Sequence, residues 1–103
     1  MYIVGTTSDT VYQYTLTTPG NVATASYASK SVSVTNQDGT PTAVNLSSDG
    51  TKMWVLGQAN NTFYEYNLAT PYDVSTATYT LGNAYNFRPQ ENAGTGMFVD
   101  LPN

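Results

Sequence analysis

Apolar and polar side chains alternate over short stretches of this chain, and clusters of Gly, Pro, Asn and Asp separate the stretches. Between Thr62 and Leu68, an extended backbone puts Phe63, Glu65 and Asn67 on one side and Tyr64, Tyr66 and Leu68 on the other. The same reading gives a four-strand unit. Strand A is Thr42 to Leu46, and Ser47 to Lys52 then supplies an Asp-Gly connection suited to a hairpin. Strand B is Met53 to Gly57 and strand C is Thr62 to Leu68. Thr70-Pro71-Tyr72-Asp73 then turns the chain into strand D, about Val74 to Leu81. No stretch of about twelve residues combines a 3.6-residue apolar period with good helix formers. The pattern predicts an all-β chain with strands near residues 1–5, 10–17, 22–35, 42–46, 53–57, 62–68 and 74–83.

The unit repeats. Met1 to Tyr27 lies over Met53 to Tyr79 without a gap and is identical at 12 of 27 positions. A third, partial copy starts at Gly94 (GTGMFVDL against GTKMWVLG from Gly50), which puts the copy starts at residues 1, 53 and 97 of a single module spanning 1–103. Units of this length point to propeller blades or comparable arrays. In chain order the strands run B, C, D, A, B, C, D, A, B, nine in all. The last strand A is the weakest, because Phe87-Arg88-Pro89 stands where Val44-Asn45-Leu46 should be.

The run from Pro41 to Gly57 (PTAVNLSSDGTKMWVLG), followed by Y-x-Y-x-L-x-T-P, resembles the blade repeat of β-propeller proteins of bacteriophages, marine ones above all, and of bacterial surface proteins. In outline it is also similar to the YVTN repeat. The resemblance covers residues 1 to 83 well and implies four-stranded antiparallel blades, two per chain. Two blades leave an apolar flank open at each end, whereas rings close at four to eight blades. The chain is therefore expected to be a piece of a longer propeller or a protomer that closes by self-association, a trimer with six blades being favoured. Met1–Gly5 and Met97–Leu101 then compete for one strand position, and Asp100 and Pro102 make the second the poorer strand.

Composition narrows the function. Seven acidic and three basic residues among 103 give a net charge of -4, so nucleic acid and anionic membranes are not expected partners. With neither Cys nor His, the chain has no thiolate nucleophile, no disulfide, no usual zinc set and no imidazole base. The carboxylates form no D-x-D-x-D series, so no metal or other cofactor is expected. No apolar run is long enough for membrane insertion, and Met1 leads into Tyr2-Ile3-Val4 without a basic segment, so no cleaved export signal is expected.

The loops after strands B and D fall on one rim. They carry Asp9, Gln37, Asp38, Gln58, Asn60, Asn61 and Arg88, with Thr6, Thr7 and Ser8 beside them. Amides and hydroxyls both donate and accept, which suits sugar hydroxyls, although the same groups also serve to solvate turns. Asp38 and Asp49, each followed by Gly, read as turn formers. Tyr72 joins the candidates because its equivalent is Gly20, so the repeat does not require it. The recurrent aromatics at positions 2, 12, 14, 54, 64, 66 and 98 read as core packing. Two non-enzymatic functions follow: a structural module of a virion or cell surface, as the resemblance implies, and a lectin-like binder of host-cell glycans. A carbohydrate-active enzyme fragment is the last alternative.

Overall fold

In the computed structural model, residues 1–91 and 93–97 are described. The fold is all β, built from two antiparallel sheets. The first holds β1 (Tyr2–Gly5), β2 (Thr10–Leu16) and β3 (Ala25–Ser33). The second holds β4 (Pro41–Leu46), β5 (Lys52–Gly57), β6 (Thr62–Leu68) and β7 (Ala77–Asn86). Each sheet is a simple meander, β1-β2-β3 and β4-β5-β6-β7. The alternation expected of strand C holds, since Tyr64, Tyr66 and Leu68 are buried while Phe63, Glu65 and Asn67 face the other way.

The sheets also differ from the expected pattern. Seven strands occur among the described residues rather than nine, and the first sheet has three strands rather than four. The segment expected to start a new strand A, residues 83–90, instead extends β7 to Asn86 and then turns, with Gln90 and Glu91 donating their N–H groups to the Phe87 carbonyl. Of the partial copy at 97, only Met97 lies within the described residues. Strands β3 and β7 begin three residues later than expected, because a single 3-10 turn precedes each, at Val22–Thr24 and Val74–Thr76. Asn21 and Asp73 cap these turns by accepting from the backbone N–H two residues on, a competition that Asn and Asp side chains win readily over strand pairing.

The two sheets repeat in three dimensions. Met53 pairs with Tyr66, and the equivalent Met1 exchanges both backbone hydrogen bonds with Tyr14. Each sheet carries an irregularity at the same place, between Gln13 and Tyr14 and between Tyr64 and Tyr66. Opposite these irregularities lie the left-handed residues Ser29 and Gly82. The irregularity in β7 is one residue longer than that in β3. Past it, Lys30, Val32 and Val34 therefore correspond to Asn83, Tyr85 and Phe87.

One sheet packs on the other. From the second sheet, Met53, Val55, Tyr64, Tyr66, Leu68 and Val74 are buried, and Val11 and Val34 of the first meet them, flanked by Tyr2, Val4 and Val32. Burying side chains of this size contributes about 1.5–3 kcal/mol each, which makes this contact the main source of stability. Three polar contacts accompany it. The Tyr2 hydroxyl donates to the Tyr72 carbonyl at 2.9 Å, the Val74 N–H donates to Gln13 Oε1 at 3.1 Å, and Lys30 pairs with Asp73 at 3.3 Å.

Candidate functional site

The loops after strands B and D do meet on one rim. Val34 N–H bonds to the Asp9 carbonyl, and Phe87 N–H bonds to that of Asn61, tying each D strand to the preceding B–C loop. Asp9 and Asn61, equivalent in the repeat, both adopt left-handed backbone, which Asn and Asp tolerate better than most residues. Seven of the eight candidate residues therefore share this rim. Tyr72 lies at the opposite one, its ring over Gly50 and its hydroxyl donating to the Ser48 carbonyl.

The rim residues are mostly engaged. Asp38 is 2% exposed, and its carboxylate accepts from the N–H groups of Thr40, Ala59 and Asn60, with the Tyr64 hydroxyl at 3.4 Å. It binds the crossover between the sheets to the loop joining β5 and β6. Gly57 makes room for it, since a Cβ there would overlap the Asp38 carboxylate. The Asn60 side chain donates to the Gln37 carbonyl and the Tyr64 hydroxyl, and Gln37 accepts from the Tyr66 hydroxyl at 2.7 Å. Burial pushes the Tyr64 and Tyr66 phenols up, keeping them as neutral donors.

Asn61 is buried and accepts from Ala93 N–H, while Gln58 donates to the Ala93 carbonyl. Asp9 accepts from the Thr35 hydroxyl through one oxygen, and its other oxygen is buried with no hydrogen bond among the described residues. Arg88 is exposed, its backbone N–H on Asn86 Oδ1. A rim so tied together is a rigid surface, with Asn60, Arg88 and the Thr6–Ser8 loop outermost.

A second cluster lies on the outer face of the second sheet, the face turned away from the first. Glu65 accepts there from the Trp54 indole at 3.0 Å, from Lys52 at 3.2 Å and from Asn83 at 3.2 Å. The indole above all, with Lys52 and Asn83, holds this carboxyl below the usual carboxylate range. A cleft of about 300 Å³ opens beside it, lined by Trp54, Phe63, Glu65, Asn83 and Tyr85 among others. None of the eight candidate residues belongs to this cluster. Its signal was present in the two-residue period, which places position 65 beside 54 on one face, and in a glutamate replacing Gln13 of the other copy.

Compared with known proteins, the chain matches no family model, and no curated protein and no solved structure matches it. Among the described residues, no group of three or more acidic side chains is placed to hold a metal ion, and no helix is long and apolar enough to cross a membrane.

Proposed function

We propose that the chain is a non-enzymatic structural module of a β-propeller, two blades per protomer, that closes into a six-bladed ring as a trimer. The observation that carries this reading is that the two sheets stack through one face each, while their outer faces keep Ile3, Val22, Tyr27 and Tyr85 exposed, with Leu56 and Phe87 beside Tyr85 covered by the segment at Gly94. A stack that ends in large apolar side chains at both ends is incomplete. The edge of β1 supports it further, since β4 covers the equivalent edge of β5 in the other sheet. The acidic groups fit a scaffold, with Asp38 holding loops, Asp49 a hairpin and Asp73 a sheet contact. The resemblance of the repeat to phage and bacterial surface propellers favours a virion or cell surface as its place.

Light scattering coupled to size exclusion tests the reading. Three chains of 11.1 kDa should elute as a particle of about 33 kDa. A stable monomer at micromolar concentration would defeat it, and a tetramer would raise the blade number to eight. A second role, recognition of host-cell glycans, draws on the exposed Arg88 and Thr6–Ser8 loop, on a rim whose Asn60 side chain is held by Gln37 and Tyr64, repeated around a ring. Glycan-array binding that Arg88→Ala abolishes supports it, and silence across the array removes it.

A further inference from the structure

We infer that the outer face of the second sheet is a docking surface for the first sheet of a second copy of this chain, with Glu65 accepting the backbone N–H of Val22 of the partner subunit. This rests on the ring reading above and supplies its contact.

The template is the sheet contact inside the chain. On the docking side Tyr2, Gln13, Lys30 and Val32 meet Tyr72, Asp73 and Val74 of the docked side. By repeat and register, Trp54, Glu65, Asn83 and Tyr85 occupy the same docking positions on the outer face of the second sheet, beside Leu56 and Phe87, which the segment at Gly94 already covers. On the docked side Gly20, Asn21 and Val22 occupy the positions of Tyr72, Asp73 and Val74. Burial follows that equivalence. Met53, Val55 and Val74 are 0% exposed, whereas their counterparts Met1, Ile3 and Val22 are 37%, 46% and 70% exposed. A residue type suited to a buried contact is thus kept at positions that nothing in this chain covers.

The substitutions between the copies compensate one another. Where Gln13 Oε1 accepts from Val74 N–H, Glu65 is an acceptor of the same reach. Where Lys30 pairs with Asp73, both members change to neutral amides, Asn83 and Asn21, so neither charge is left unpaired at the contact. The donors and acceptors also match. Asn21 Oδ1 is held by Ala23 N–H, which leaves its Nδ2 to donate; Asn83 Nδ2 is held by Glu65, which leaves its Oδ1 to accept. Size compensates as well, since Trp54 and Tyr85 are larger than Tyr2 and Val32 where Gly20 replaces Tyr72. The open cleft beside Glu65 is the space for Val22 of the partner subunit. Because the two surfaces differ, the association is head to tail, which forms a ring where the rotation between copies closes.

The absence of cysteine makes the contact directly testable. In an Asn21→Cys, Asn83→Cys double variant the two thiols lie on opposite outer faces of one chain, so a short bis-maleimide should link only neighbouring copies. Covalent dimers and trimers are expected from the double variant and none beyond dimers from either single variant. Val22→Asp should weaken association at least tenfold by light scattering while the circular dichroism spectrum stays unchanged, since Val22 is largely exposed within one chain. A wild-type ring with no cross-linking from the double variant, or with Val22→Asp still assembled, would overturn this contact and leave the ring reading standing. A wild-type monomer would overturn both. Saturable binding of a sugar in the Glu65 cleft without self-association would assign the face to a ligand and end the proposal.

Discussion

Asp38 shows how a single side chain can serve a turn and a long-range contact together. Its carboxylate accepts three backbone N–H groups, two of them more than twenty residues away, and a hydrogen bond to a charged acceptor is worth about 1.5–3 kcal/mol when buried. Asp38→Ala should therefore lower the unfolding free energy by about 3 kcal/mol, read as a lower urea midpoint with an unchanged slope. Gly57→Ala should do comparable damage, because the added methyl meets a carboxylate that three donors hold in place. If Gly57→Ala left the midpoint unchanged, the seat of Asp38 would not be rigid. The Asp-Gly pair made the turn legible in the sequence, but the loop at Ala59 and Asn60 was not, since nothing local to position 38 names a partner so distant. Tyr72 was legible as dispensable to the repeat and as a turn residue. Its place on the opposite rim was legible too, since it lies in the turn after strand C, but the closure of that turn over Gly50 was not.

Among the elements, the β4–β5 hairpin depends most on a titrating side chain. Asp49 accepts from the Ser47 hydroxyl and from the N–H and hydroxyl of Thr51, and these bonds, the Thr51 hydroxyl first, lower its carboxyl to about 2. A folded value below the unfolded one adds stability that is fully present near neutrality and is lost as the pH falls from about 4 toward 2. Asp73 and Glu65 are also depressed, by the Ser75 hydroxyl and the Trp54 indole first, and lose their contributions as acid is added. The wild type should thus be more stable than Asp49→Asn at pH 7, and the difference in urea midpoint should shrink as the pH approaches 2. A difference independent of pH would mean that the hairpin is held by backbone turn geometry alone. The strands themselves were readable from alternation and turn residues, as β5 and β6 show, because side-chain period and burial agree there. The starts of β3 and β7 were not, because Val22 and Val74 suit a strand by propensity while the caps at Asn21 and Asp73 fold them into a turn. The end of β7 lies beyond its expected place for a related reason: its irregularity is one residue longer than that of β3, which shifts the copy and hides the match of Phe87 to Val34.

At the scale of the molecule, the repeat announced two stacked sheets but not the number that closes a ring, because that number depends on the angle that packed side chains impose between successive sheets. Trp54, Phe63 and Tyr85 are bulkier than Tyr2, Val11 and Val32, so the proposed contact between copies need not reproduce the angle inside the chain. Stability offers an independent measure of closure. If folding and assembly are coupled in a trimer, unfolding releases three chains from one particle, and mass action makes the melting temperature rise with protein concentration. A tenfold increase then adds about 0.9 kcal/mol per chain, two thirds of the usual 1.4 for a factor of ten, and with about 2.1 cal/mol/K of unfolding entropy per residue the midpoint should rise by about 4 °C. Scanning calorimetry at about 5 and 50 μM would resolve that shift. Val22→Asp should remove the dependence while retaining a cooperative transition, since the core between the two sheets of one chain is untouched by it. A wild-type midpoint that does not move with concentration, in a protein that elutes as a trimer, would mean that chains fold first and associate only loosely, with Ile3, Val22 and Tyr85 contributing little to the assembled state.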